Sequence, residues 1–215
     1  MPSPAASSPF DQSRYQVRLD WGIAGLRRVA PADVVVVVDV LRFSSTVSAR
    51  VAAGERVVLD DAASAVSRNG AMIAGAASDA LVLLGCLRNA DAVAAAVLAE
   101  QQRRGARTSI AVIAAGELAG PGEEPELRFA VEDLLGAGAV VDALSRLGID
   151  HTSPEAAAAC ESFRGLGGAV RHLLTASGSG QELLERGLRA DVLAAAQIGA
   201  DAVAPVLRGG VFTAA

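Results

Sequence analysis

The run Val34-Val35-Val36-Val37-Val38, followed at once by Asp39-Val40-Leu41-Arg42-Phe43-Ser44-Ser45-Thr46, constrains this chain more than any other stretch. Five consecutive valines show no period-two alternation, and β-branched side chains favour extended backbone. A strand built from them is apolar on both faces. It needs cover on both sides, which points to a parallel sheet inside an α/β protein. Asp39 then falls near the carboxyl end of that strand. Ser44, Ser45 and Thr46 offer capping hydroxyls to a helix expected over residues 47–53, with Gly54 just past its end. A strand end, a short polar turn and a helix start together suit an anion, because free N–H groups, the positive end of the dipole and Arg42 all converge there.

The rest of the chain alternates in the way such a strand requires. Residues 15–21 read as a strand at an edge or in an antiparallel position, and residues 24–29 as a short helix ending before Pro31. Residues 56–59 read as a second strand with Asp60-Asp61 at its end. Residues 62–66 are a helical fragment, residues 67–70 (Ser-Arg-Asn-Gly) a turn in which Asn69-Gly70 tolerates positive φ, and residues 72–78 a renewed helix. Residues 81–84 are a buried strand closed by Gly85. Asn89 caps a strong helix that reaches Arg104 and Gly105. Residues 109–115 are a further strand, residues 116–127 a loop, and residues 130–147 a helix with Glu132 and Asp133 in its first turns. Residues 153–196 read as helix broken at two glycine clusters. Residues 202–207 form a last strand, placed at an edge by Pro205. The pattern predicts a three-layer α/β/α sandwich with a mostly parallel, mixed sheet, formed by residues 14–215 as one domain behind a disordered leader of residues 1–13.

Composition narrows the functional classes. The 215 residues are 52% hydrophobic but only 3% aromatic, so alanine and valine carry the core, and nothing in the body argues for disorder. A net charge of −5 gives no general attraction to nucleic acid or to an anionic membrane surface, so neither is expected as a partner. Cys86 and Cys160 fit neither a disulfide framework nor a zinc pattern, and His151 and His172 have no companions at ligand spacing. The first residues lack the order of a signal peptide, and no apolar run approaches the roughly 20 residues of a membrane span. A cytoplasmic protein is the expectation.

Four strand ends carry polar residues: 39–46, Asp60-Asp61, 85–89 and Gly116-Glu117. In a mostly parallel sheet these loops share the edge where open α/β sheets bind ligands. Each residue also has a plainer reading. Asp39 could be a solvated strand-end acid, Asn89 a helix cap, Asn69-Gly70 a loop element, and Glu132-Asp133 favourable charges in a first helical turn. Two adjacent acids near Gly116-Glu117 could equally hold Mg²⁺, which takes oxygen ligands and keeps several waters. The stretch Ser177-Gly178-Ser179-Gly180 looks like a phosphate loop, but no Walker lysine accompanies it and no strand directly precedes it.

Taken together, residues from about Arg14 onward resemble the 2-phosphosulfolactate phosphatase family, the magnesium-dependent phosphatases of coenzyme M biosynthesis. The resemblance rests on Val38-Asp39-Val40-Leu41-Arg42-Phe43-Ser44-Ser45-Thr46, on Asn69-Gly70, and on Gly85-Cys86-Leu87-Arg88-Asn89-Ala90, whose wording is most similar to actinobacterial members. It continues through Ala114-Ala115-Gly116-Glu117, Val131 to Gly138, and Gly187 with Ala190-Asp191-Val192. The resemblance implies an α/β/α fold and hydrolysis of a small acidic phosphate monoester to an alcohol and phosphate. Combined with the residue reading, it assigns Asp39, Arg42 and Glu132 to catalysis and Arg42, Ser44, Ser45, Thr46, Asn69, Gly70 and Asn89 to substrate or phosphate. Asp39, Glu132 and Asp133 are the expected Mg²⁺ ligands. The chain departs from the family pattern in a shortened segment at residues 59–67. That departure leaves open a second reading: a degenerate member that binds a small anion or a protein partner without catalysis. A homodimer is the expected assembly.

Overall fold

The computed structural model describes residues 8–61, 68–77, 79–119 and 126–215. Its main sheet is built from β1 (Val17–Trp21), β2 (Val34–Val38), β3 (Val57–Val58), β4 (Leu81–Gly85), β5 (Ile110–Ala114), β8 (Pro205–Arg208) and β9 (Val211–Ala214). These seven lie in the order β1-β5-β2-β4-β8-β9-β3. The first four are parallel to one another, and β8, β9 and β3 continue the sheet antiparallel. The five valines occupy their predicted bounds, each paired on one side with β4 and on the other with β5. Val34, Val36 and Val38 face one apolar core while Val35 and Val37 face a second. Both faces of the strand are thus sealed, as the uninterrupted run demands.

Helices cover the two faces unequally. On one side lie α1 (Gly22–Arg28), α2 (Phe43–Ala52) and α3 (Arg68–Ala76), and α2 and α3 contribute Phe43, Val47, Val51, Ala71 and Ile73. On the other lie α4 (Ala90–Arg104), α5 (Val131–Arg146), α6 (Pro154–Leu166), α7 (Val170–Ala176), α8 (Gly178–Glu185) and α9 (Arg189–Ala195). The three-layer α/β/α sandwich with a mixed, mostly parallel sheet is therefore the observed fold. Gly138 lets α5 and α6 approach closely: a Cβ there would stand 2.1 Å from the Ala159 carbonyl oxygen. At the amino end of β2, Asp33 and Ser109 clasp each other. The Ser109 N–H and Oγ donate to Asp33 Oδ2 at 2.8 and 2.7 Å, and the Asp33 N–H donates to Ser109 Oγ at 3.0 Å.

Several expectations are corrected. Helix α2 starts at Phe43 rather than Val47, so Ser44, Ser45 and Thr46 lie inside its first turns instead of capping it. Gly54, with φ +87°, does follow its end. Asn69-Gly70 is helical, part of α3, because a dipeptide that tolerates a turn does not require one; residues 62–67 and 78 lie outside the described residues. The expected loop 116–127 contains two short antiparallel strands, β6 (Glu117–Ala119) and β7 (Glu126–Arg128), with residues 120–125 outside the described set. Strand β8 is interior: Pro205 is tolerated because it is the first residue, and β9, unexpected from sequence, pairs beyond it. Strand β3 runs opposite to β2, so Asp60-Asp61 belongs at the other edge from Asp39. Of the expected leader, residues 1–7 are outside the described residues. Pro9–Asp11 forms a 3₁₀ turn, and the buried Gln12 side chain exchanges two hydrogen bonds with the Leu19 backbone. Among the described residues no helix is long and apolar enough to cross a membrane.

Candidate active site

The carboxyl ends of β2 and β5 and the start of α5 meet at a cleft of about 300 Å³. Asp39, Arg42, Asn69, Glu117, Glu132 and Asp133 line it, and Ser179, Glu182 and Arg186 of α8 and its C-terminal end close it from above the sheet. Among the described residues, five carboxyl groups and two guanidinium groups line the cleft, a balance that favours a cation beside any anion that enters.

Asp133 ties the two strand ends together. Its Oδ1 accepts from the Val40 N–H at 2.7 Å and its Oδ2 from the Gly116 N–H at 2.8 Å. Burial, with Asp39 and Glu132 nearby, holds this carboxyl well above the usual range, against the pull of those two N–H groups. Asp39 is organised in a similar way: Oδ1 accepts from the Phe43 N–H at 3.1 Å and Oδ2 from the Gly70 N–H at 3.2 Å. The second contact explains the glycine, since a Cβ at position 70 would lie 2.8 Å from Asp39 Oδ2 and 2.7 Å from Phe43 Cδ1. Asn69 sits beside it and donates from Nδ2 to the Gly116 carbonyl at 3.0 Å.

Glu132 and Glu117 are held differently, by a side chain. Ser179 Oγ is within hydrogen-bond distance of Glu132 Oε1 and, at 2.8 Å, of Glu117 Oε2. A hydroxyl has one proton to donate, so it satisfies one carboxylate at a time. Burial first, then the nearby Asp39 and Glu132 charges, raise the Glu117 carboxyl above its usual range although Ser179 opposes the shift. A carboxyl raised in this way contributes stability that is complete below the unfolded carboxylate range and disappears as pH climbs through the folded value. Glu117→Gln removes that dependence. In EDTA, its melting temperature relative to the unmodified protein is expected to be higher above the usual carboxylate range than below it; a difference that stays flat with pH would show that Glu117 is not strained by its surroundings.

Arg42 follows a cis Leu41–Arg42 peptide, forms an ion pair with Asp191 of α9 and lines the cleft. The helix start beside it is less open than the sequence suggests. The Phe43 N–H is taken by the Asp39 carboxylate, the Ser44 N–H by the Asp39 carbonyl at 2.8 Å and the Thr46 N–H by the Arg42 carbonyl at 3.0 Å. Ser44 Oγ donates to the Val37 carbonyl and accepts from the Asp39 N–H, both at 3.1 Å. Ser44, Ser45 and Thr46 do not line the cleft, and neither does Gly70, whose part is to hold Asp39. Asn89 stands apart as well. It occupies the N-cap position of α4 without a capping bond, and instead receives the Cys86 N–H at 2.9 Å and donates to the Leu84 carbonyl at 3.0 Å.

Ser179 and Arg186 line the cleft without having been expected there, and Glu117 was expected only at its edge. Glu117 was visible as a polar strand end. Ser179 was hidden inside Ser177-Gly178-Ser179-Gly180, which is no phosphate loop: Ser177 Oγ caps α8 through the Gly180 N–H at 3.1 Å. Nothing local marks Arg186. Among the described residues, no three His, Cys, Asp or Glu side chains stand close enough as they are to hold one metal ion. The expected ligands Asp39, Glu132 and Asp133 do share the cleft, yet Asp133 has both oxygens on backbone N–H groups.

Comparison with known proteins adds one positive finding. Residues 60–210 match the protein-family model for 2-phosphosulpholactate phosphatase. No curated protein matches the sequence. The matched range begins after the Asp39 to Thr46 stretch but contains Asn69, Glu117, Glu132, Asp133, Ser179, Arg186 and Asp191. It spans well over half of the chain and includes three of the four acids described around Ser179 and Asp133. On these grounds the chain belongs to the 2-phosphosulpholactate phosphatase family.

Proposed function

We propose that the protein is a magnesium-dependent phosphatase that hydrolyses a small acidic phosphate monoester, of the 2-phosphosulfolactate type, to its hydroxy acid and inorganic phosphate. The observation that carries this reading is the pair Glu117 and Glu132, both aimed at the single hydroxyl of Ser179 inside a cleft that also holds Arg42. Only one of those carboxylate oxygens can accept the Ser179 proton at a time, which leaves the other open to a cation. The donors are hard oxygens, which suits Mg²⁺, and because that ion retains several waters one or two carboxylates suffice. Glu117 and Glu132 are the residues that would hold it, with Asp39 at the base of the cleft. The chemistry supplied by Mg²⁺ when bound is Lewis-acid polarisation of the phosphoryl oxygens and acidification of a water.

The residues of the chain do the rest. Arg42 binds phosphoryl oxygens through the N–H groups that Asp191 does not occupy, and it stabilises charge as the ester bond breaks. Water attacks phosphorus, a carboxylate of the Glu117/Glu132 pair takes its proton, and the departing alcohol oxygen receives a proton in turn. Asp133 positions both strand ends without touching the reacting atoms. A second reading rests on the shortened segment at residues 59–67: a family member that binds a small anion without turnover. Phosphate release from a panel of phosphorylated hydroxy acids separates the two. The expected result is release that EDTA stops and Mg²⁺ restores. Tight, Mg²⁺-independent binding of inorganic phosphate with no release from any ester would establish the second reading instead.

A further inference from the structure

An apolar chamber of about 180 Å³ adjoins the acidic cleft and shares Asn69 and Leu118 with it. Its walls are Ile23 from α1, Met72 and Ile73 from α3, Leu118 from β6 and Leu127 from β7. Among the described residues no charged side chain lines it, and Asn69, the polar side chain described there, has its Nδ2 engaged by the Gly116 carbonyl. Leu127, 41% exposed, lies over two glycines. A Cβ on Gly22 would come within 2.9 Å of its Cδ2, and a Cβ on Gly116 within 2.8 Å of its Cδ1. Both glycines have positive φ, +62° and +67°, so the backbone is shaped around this side chain. Ile73 is buried, whereas Met72 is half exposed at the rim, where its flexible thioether can adapt to an occupant.

Resting on the phosphatase reading of the cleft, we propose that this chamber receives an uncharged aliphatic substituent of the same phosphate ester. The two cavities have Asn69 and Leu118 as common wall residues, and in this proposal one small molecule places its phosphate beside Arg42 and its hydrocarbon part against Leu118, Leu127 and Met72. At about 30 Å³ per water-sized group, the chamber holds on the order of four to six heavy atoms. A sulfonate is the wrong occupant. It would surrender its hydration to aliphatic walls that, among the described residues, offer no charged partner. The substrate class is therefore the phosphate ester of a 2-hydroxy acid with a short aliphatic side chain.

The test is a homologous series: the 2-phospho esters of glycolate, lactate, 2-hydroxybutyrate, 2-hydroxyvalerate and 2-hydroxyisocaproate, alongside 2-phosphosulfolactate. kcat/KM is expected to rise roughly three- to fourfold per added methylene until the chamber is full, and 2-phosphosulfolactate to fall below the valerate ester. In Met72→Asp, a rim substitution at a half-exposed position, the ratio of the valerate to the glycolate ester is expected to drop at least tenfold. A flat series, a preference for the sulfonate, or an unchanged ratio in Met72→Asp would each overturn the inference. If no ester releases phosphate, calorimetry with methyl- to butylphosphonate in the presence of Mg²⁺ replaces the kinetics. Affinity that grows with chain length and is lost in Met72→Asp would sustain the chamber while the phosphatase reading fails. Affinity independent of chain length would remove the chamber too.

Discussion

Replacing Arg42 by alanine is expected to lower kcat/KM for phosphate-ester hydrolysis by about 10²–10³, the usual effect of removing one preorganised donor from developing transition-state charge. Among the described residues the cleft is lined by five carboxyl groups, and Arg42 lines it at the point where β2 gives way to α2. The loss should fall mainly on kcat. Arg42→Lys should recover only part of it, because an ammonium cannot reproduce the planar fork that spans Asp191 and a phosphoryl oxygen together. Stability should change little: the Arg42 and Asp191 side chains are 19% and 37% exposed, and partly exposed pairs contribute about 0–1 kcal/mol. Asp191→Asn then serves as the internal comparison. It breaks the ion pair but leaves the guanidinium in the cleft, so its effect on kcat should be much smaller. Undiminished turnover in Arg42→Ala would sink the assignment, and equal losses in the two variants would mean that the pair acts as a strut.

A large structural effect is expected from Gly138→Ala. The substitution adds one carbon in the middle of α5, where helix propensity alone favours alanine by about 1 kcal/mol. Packing reverses the sign, because that carbon would lie 2.1 Å from the Ala159 carbonyl oxygen and 2.8 Å from Phe163 Cβ, both on α6. Neither a backbone oxygen nor a Cβ can swing aside, so the two helices must separate. Overpacking of this kind costs about 1–3 kcal/mol, and a backbone obstacle belongs at the upper end. For a chain of this size that corresponds to a fall in melting temperature of roughly 6–12 °C. The displaced α5 also carries Asp133, so activity should decline together with stability. A melting temperature within a degree or two of the unmodified protein would show that the helices can part freely.

What the sequence revealed follows the range over which each signal acts. The valine run located β2 to the residue, and the glycine clusters at 165–168 and 177–180 marked real helix breaks, because both are local effects of backbone and burial. Asn69-Gly70 misled for the same reason. Its local preference is for a turn, whereas the fold needs a helical glycine whose N–H reaches Asp39 from a position 31 residues away in sequence. The hydroxyls Ser44, Ser45 and Thr46 had the right chemistry for an anion, but the neighbouring Asp39 and Arg42 backbone absorbs the N–H groups they were expected to share. Ser179 could not be found from spacing, since its partners lie 47 and 62 residues earlier and meet it only after α8 folds over the sheet.

The purity of β2 has one last consequence, for register. Sliding an alternating strand by one residue would expose its apolar side; sliding a strand of five valines exchanges one apolar face for another. Its interior therefore carries almost no information about where it should stop against β4 and β5. That information resides at the two ends, in the Asp33–Ser109 clasp and in the Asp133 carboxylate gripping the Val40 N–H. Asp39 lies between those two markers, so the acid at the base of the cleft is placed by anchors on either side of a strand that could not have placed it alone.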